Sequence, residues 1–197
     1  MRLTRKTGPS FPLSLHRRLP SRSTFKVEMF FTTSVGFLAV VHLAHSSTQN
    51  PPVTPCPGLE DPPFEITNVT IKDAKLGKKV KIDATINVNE VVGESAVLQI
   101  SFASSDGTKL PCVQSVLPCE LKTCGGTTRT EKILNADWDN KCPVQPGTYT
   151  SHLAFRLPNN QAARDYLGDG NLEATLNVVD NGRVLDCVSL PLNVDVQ

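Results

Sequence analysis

Residues 80–89 read Val-Lys-Ile-Asp-Ala-Thr-Ile-Asn-Val-Asn, so that Val80, Ile82, Ala84, Ile86 and Val88 alternate with Lys81, Asp83, Thr85, Asn87 and Asn89. A period of two sets the first group on one face of an extended strand and the second on the other, giving one buried and one wet side. The same period recurs outward along the chain. Leu98, Ile100 and Phe102 alternate with Gln99 and Ser101, and Ser104-Ser105-Asp106-Gly107 turns the chain into a short strand ending at Cys112. Pro146-Gly147 opens a strand over 148–157 whose Tyr149, Leu153, Phe155 and Leu157 share a face. Leu172, Ala174, Leu176 and Val178 mark another, and Asp180-Asn181-Gly182 is a tight-turn signal. Val188, Leu190, Leu192, Val194 and Val196 close the chain, with Pro191 pointing to an edge position or a bulge. The stretch 64–72 alternates poorly: Ile66 falls out of phase with Val69 and Ile71, which predicts a bulge there. Helical turns are confined to 129–136 and 160–167. Many short strands without a sustained helical period predict an all-β chain, an immunoglobulin-like antiparallel two-sheet β-sandwich.

The N-terminal segment reads differently. Residues 1–28 hold seven basic side chains, from Arg2 to Lys26, and Met29 to Ala44 form an apolar run interrupted by Thr32, Thr33, Ser34 and His42. The run is short for a bilayer span, which takes about 20 apolar residues. With small residues at Ala44 and Ser46, the segment 1–46 reads as a leader: a 28-residue basic extension, then a signal peptide cleaved after Ser46. The basic extension admits two readings, a mitochondrial-type presequence or an upstream extension with initiation at Met29; the cysteine set that follows favours the second. A Pro-rich lead-in spans 47–63 and the sandwich 64–197.

All six cysteines, Cys56, Cys112, Cys119, Cys124, Cys142 and Cys187, follow the leader, and an even set there predicts three disulfides in an extracytoplasmic domain. Six cysteines allow 15 pairings, and spacing does not choose among them. A link between Cys56 and Cys187 would tie the first strand to the last. Removing the leader takes away seven of 20 Lys+Arg and one of 19 Asp+Glu, leaving 13 against 18 and a formal charge of −5. An acidic domain without a basic stripe argues against nucleic acid and, at neutral pH, against a purely electrostatic grip on anionic membranes; carboxylate protonation in an acidic lumen would lessen that repulsion.

Leu110-Pro111-Cys112, Cys119, Cys124, Cys142-Pro143 and Gly147-Thr148-Tyr149 resemble the ganglioside activator branch of the MD-2-related lipid-recognition (ML) family. So do the tail Gly182-Arg183-Val184-Leu185-Asp186-Cys187 and the loop-then-strand from Gly168 to Leu172. The resemblance covers about 56–196. It implies the pairs Cys56–Cys187, Cys112–Cys119 and Cys124–Cys142, and an apolar lipid cavity between the sheets. One departure is that the activator has eight cysteines, and this chain lacks the extra pair within 125–141. Sterol-transfer relatives usually place a close cysteine pair between the first two strands, and none lies between Cys56 and Cys112.

Catalysis is not expected. His152 is the one histidine after the leader, it lies on the wet side of its strand, and no Gly-x-Ser-x-Gly elbow is present. Asp137 and Asp139 flank Trp138 in what reads as a solvated loop. No metal or cofactor is called for. The chemistry that remains is solvation of hydrocarbon, worth about 0.8 kcal/mol per buried methylene. The expected cavity walls are Ile82, Ile86, Leu98, Ile100, Phe102, Leu153, Phe155, Leu176 and Leu190. Three loops are expected to touch a membrane: Val91-Val92, Ile133-Leu134 with Trp138, and Tyr166-Leu167. Asn68-Val69-Thr70 is an N-glycosylation sequon, with Asn68 the acceptor. The expected function is a secreted or endolysosomal carrier that extracts a glycolipid or phospholipid through transient membrane contact. The resemblance implies presentation to a lysosomal glycosidase. Sterol carriage, or a lipid-sensing co-receptor or immune module, is the alternative.

Overall fold

The computed structural model describes residues 47–197; the leader and its cleavage site lie outside the described residues. In chain order the elements are β1 (Thr48–Gln49), β2 (Thr54–Pro55), β3 (Phe64–Lys72), β4 (Lys79–Val88), β5 (Val97–Ser104), β6 (Lys109–Leu110), β7 (Glu120–Lys122), α1 (Arg129–Ala136), β8 (Gly147–Arg156), α2 (Gln161–Leu167), β9 (Asn171–Asp180) and β10 (Arg183–Asn193). They form an antiparallel β-sandwich. One sheet, sheet A, has the order β1-β3-β4-β8; the other, sheet B, runs β2-β10-β9-β5-β6, with β7 also paired to β5. The two helices fall on the segments where the sequence departs from strand periodicity.

The strand patterns explain the pairing. Along most of their length the inward residues of β4 face inward residues of β8: Val80 opposes Phe155, Ile82 opposes Leu153 and Ile86 opposes Tyr149. In β3, Thr67 pairs with Thr85 and Thr70 with Asp83, so Asn68 and Val69 together oppose Ala84. That two-for-one bulge lets Ile66, Val69 and Ile71 all be buried although their spacing is irregular. Asn68 takes the positive φ of 50° that the bulge requires and points to solvent. The β9–β10 hairpin closes through Asn181-Gly182, both at positive φ, with Asp180 paired to Arg183. Pro191 sits where β10 has passed the end of its pairing with β2, so its missing N–H falls on a free edge. Gly170 also has positive φ, and a Cβ there would collide with the Val194 carbonyl.

The lead-in is part of the sandwich rather than a tail before it. It starts on sheet A, where Thr48–Gln49 pair with β3, and crosses to sheet B, where Thr54–Pro55 pair with β10. The Gln49 side chain clamps Asn193, donating to its carbonyl at 2.6 Å and accepting from its N–H at 3.0 Å. The Cys56–Cys187 disulfide then fixes the crossing, beside Cys56 N–H donating to the Cys187 carbonyl. Next to it, the Asp186 carboxylate on β10 accepts from Ile66 N–H on β3 at 2.9 Å, a direct link from one sheet to the other.

Asp186 is 2% exposed, and burial raises its carboxyl to about 6, against hydrogen bonds from the Ile66 and Cys187 N–H groups that pull the other way. A folded-state value above the unfolded 3.8 means that the fold binds this proton more tightly than the open chain does. Stability from this group is therefore greatest below about pH 4 and falls as the pH rises through about 6, by roughly 3 kcal/mol in all. Urea titrations at pH 4.5 and pH 7 should show the wild type losing stability at the higher pH, and Asp186→Asn should remove most of that difference.

Candidate functional site

Between the sheets lies a cavity of about 80 Å³ with an almost wholly apolar lining. Ile82, Ile86, Leu98, Ile100, Phe102, Leu153, Phe155, Leu176 and Leu190 all stand on its walls. Sheet A contributes from β3, β4 and β8, and sheet B from β5, β9 and β10. Ile86, Leu98, Phe102 and Leu190 are buried. Ile82, Leu153, Phe155, Ile100 and Leu176 also point inward but are only half-buried, because part of each meets the void instead of a packed neighbour. The sheets are thus incompletely interdigitated around the middle of β8 and β5.

Further lining residues come from segments whose pattern hid them. Ile66 and Val69 are masked by the bulge. Leu121, Leu134 and Trp138 belong to β7 and the α1 segment. The polar lining residues Thr123 and Ser151 are buried, and the Thr123 hydroxyl donates to the Ala96 carbonyl at 2.8 Å. The cavity therefore offers hydrocarbon a surface and offers a headgroup nothing.

The side of the sandwich opposite the lead-in is closed by the α1 segment, held at its base by Cys124–Cys142. The Cys112–Cys119 disulfide staples the adjoining loop. Thr128 caps α1 in a reciprocal box with Glu131. Burial pushes the Glu131 carboxyl up, but the N–H groups of Thr128, Lys122 and Thr127 and the Thr128 hydroxyl outweigh it and hold the group at about 2. Asn135 adds a bond to the Lys122 carbonyl and accepts from Gly126 N–H. These contacts fasten α1 to sheet B. Its bonds to sheet A are made to the free edge of β8. Asp137 accepts from His152 N–H at 2.8 Å, and Thr130 donates to the Ala154 carbonyl. Burial raises the Asp137 carboxyl, so this aspartate is an edge cap and not part of a solvated loop.

The match to known proteins follows the architecture. Residues 51–194 match the family described as the ML domain. The chain belongs to the ML-domain family. Among solved structures, a Niemann-Pick type C2 protein from Japanese carpenter ant is similar at 10% identity and a TM-score of 0.39, over 76% of this chain and 92% of that one. No curated protein sequence matches. ML domains bind lipids, and the three disulfides here join Cys56 to Cys187, Cys112 to Cys119 and Cys124 to Cys142.

The loop residues expected at a membrane need correction. Trp138 is 4% exposed: its indole N–H donates to the Thr123 carbonyl at 3.0 Å and its ring meets Tyr149 edge-on at 6.3 Å. Leu134 is buried on the inner face of α1, with Trp138 beside it in the cavity wall. Val92 is buried by its bridge to Val144, which closes one end of the sandwich. Leu167 is buried on the core side of α2. In each case the apolar side chain packs inward onto the core. Val91 is exposed, and Ile133 and Tyr166 are half-buried, with burial raising the Tyr166 phenol. His152 is exposed, as its place in the alternation requires, and its Nδ1 lies 2.8 Å from Asp83.

Trp138 ties the α1 segment to the cavity. Trp138→Ala should cost about 3–5 kcal/mol and Trp138→Phe, which loses chiefly the bond to Thr123, about 1–2 kcal/mol. Denaturant unfolding followed by far-ultraviolet circular dichroism measures both.

Proposed function

We propose that this ML domain carries a lipid with its hydrocarbon tails between sheets A and B and its headgroup outside. The observation that carries the reading is the almost wholly apolar cavity walled by both sheets. Such a lining selects for tail and not for headgroup chemistry. The resemblance in cysteine spacing favours a two-tailed glycolipid or phospholipid over a sterol. The cysteine spacing supports the ganglioside activator branch, and with it a secreted or endolysosomal location and presentation to a glycosidase. Asn68, exposed at the β3 bulge, is the proposed glycan site. Val91, Ile133 and Tyr166 are the apolar side chains with surface left for a bilayer.

At about 80 Å³ the cavity is far smaller than the roughly 300–1,000 Å³ of ordinary ligand pockets, so uptake requires the sheets to part. On the α1 side the β8 edge is held without a covalent link, by the Asp137 and Thr130 contacts and by Trp138 against Tyr149. The reading is tested by native mass spectrometry and lipid extraction of protein purified from a secretory host. The expected result is a co-purifying two-tailed lipid. Leu153→Trp, which fills the void from β8, should abolish that occupancy while leaving the melting temperature within a few degrees of wild type. A sterol in the extract, or an empty protein in stable complex with a receptor ectodomain, would favour the alternatives instead.

A further inference from the structure

A second and roomier hollow lies beneath the lead-in. It measures about 650 Å³, where the central cavity is about 80 Å³, and so falls within the roughly 300–1,000 Å³ of ordinary small-molecule pockets without any parting of the sheets. On one side it is lined by Pro51, Pro52, Val53, Pro55 and Leu59 of the lead-in. On the other stand the bulged stretch of β3 and, on β10, Asp186 and Cys187. Each proline fixes its own φ. The strap is also pinned at both ends: the Thr70 hydroxyl donates to the Asn50 side-chain oxygen at 2.8 Å, and Cys56 is joined to Cys187. The cleft is therefore pre-formed, which spares a ligand the cost of ordering it.

The lining holds two carboxyl groups, Asp186 and Glu65, and among the described residues that line it no lysine, arginine or histidine balances them. Asp186 lies on the inward face of β10, in step with Val188, Leu190 and Leu192. Its Oδ2 accepts from Ile66 N–H at 2.9 Å. An asparagine would accept that N–H equally and carry no charge into a buried place, so the cross-sheet bond alone does not call for an aspartate. Glu65 accepts from the Asn87 amide at 3.0 Å, a neutral partner. A buried carboxylate with a like charge beside it is relieved by a cation from outside. We propose that the cleft is a second ligand site, taking an organic cation whose ammonium group meets Asp186 and whose apolar body lies along the prolines of the strap. Among the described residues no group of three or more acidic, histidine or cysteine side chains could hold a metal ion, and the apolar strap suits an organic cation instead. Ile66 and Val69 wall both the cleft and the central cavity, so the ammonium has two possible sources: a free amine, or the head of a lipid whose chain passes between the two hollows. Asn68, the proposed glycan site, is exposed at the rim, so a glycan would border the cleft without filling it.

The test is an NMR titration of the secreted protein at pH 7 with 2-phenylethylammonium, set against the neutral 2-phenylethanol and the anionic phenylacetate. The amine should bind saturably and move the amide signals of Val53, Leu59 and Cys187. The alcohol should bind roughly tenfold more weakly and the anion not at all. Asp186→Asn, which keeps an acceptor for Ile66 N–H, should weaken the amine roughly tenfold and leave the alcohol unchanged. Glu65→Gln, a milder change, should weaken it about threefold. At pH 4.5 the wild type should bind the amine roughly tenfold less tightly than at pH 7, because burial raises the Asp186 carboxyl to about 6 and its proton then competes with the ligand. Glu65 of β3 is the other ionisable group of the lining, and the lead-in residues that line the cleft have none. Leu153→Trp, which fills the central cavity, separates the two sources. Binding of n-octylammonium that it weakens marks a lipid head whose chain enters the cavity, and binding that it spares marks a free amine; either supports the site. Equal binding of amine and alcohol, undiminished binding by both carboxyl variants, or loss of 2-phenylethylammonium in Leu153→Trp would overturn the proposal. Amine binding by a protein that co-purifies with no lipid supports the site and refutes carriage; a co-purifying lipid without amine binding does the reverse.

Discussion

Two sheets with an apolar seam between them have a problem at their sides. Twist and splay leave a gap at each lateral edge, where water reaches the inner faces unless something spans it. The rest of this molecule follows from how the two gaps are spanned. On one side the Pro-rich lead-in crosses from β3 to β10, with a disulfide at its sheet B end and the Asp186–Ile66 bond beneath it. On the other, α1 is bound to β7 through Glu131 and Asn135 and to β8 through Asp137 and Thr130. The two closures differ in kind. The lead-in crossing is covalent at Cys187, whereas the α1 segment meets β8 through side-chain hydrogen bonds to a strand edge and through the Trp138 ring against Tyr149.

What the sequence disclosed and what it hid divide along the same physical line. Strands with a wet face and a dry face announce themselves by alternation, so the inward residues of β4, β5, β8 and β9 could be named in advance. The bulge in β3 was also legible, as a break of phase. The fate of apolar residues in short connections was not. Trp138, Leu134, Val92 and Leu167 lie in short stretches without strand periodicity, three of them beside a second apolar or aromatic residue (Ile133, Val91 and Tyr166), and nothing local says which of the two faces the core. The deciding fact is tertiary: which gap the segment covers. The capping box at Thr128 and Glu131 was present in the sequence, but its second role, gripping β7, needs the sheet to exist first.

Net charge left a local pattern hidden for a related reason. A total of −5 for residues 47–197 says little about any one face. Lys79 and Lys81 are neighbours on one side of a strand because they are two apart, and register places Arg156 and Lys72 across from them. Registry between strands far apart in sequence concentrated the cations, and only the pairing exposes it.

The narrowness of the cavity follows from stability rather than opposing function. An empty apolar void costs about 24 cal/mol per Å³, so holding roughly 300 Å³ open in water would cost ~7 kcal/mol. That is comparable with the whole stability of a domain of this size, about 5–15 kcal/mol. A sandwich able to accept hydrocarbon must therefore lie nearly collapsed when empty, and the 80 Å³ found here is a size it can bear. The free energy of opening has to come from the ligand, at about 0.8 kcal/mol for each methylene transferred from water. Roughly nine methylenes offset the opening, and a chain much shorter would not hold the sheets apart. On this argument the half-buried state of Ile82, Leu153, Phe155, Ile100 and Leu176 is the trace of a packing that stops short of complete, so that a chain long enough can finish it.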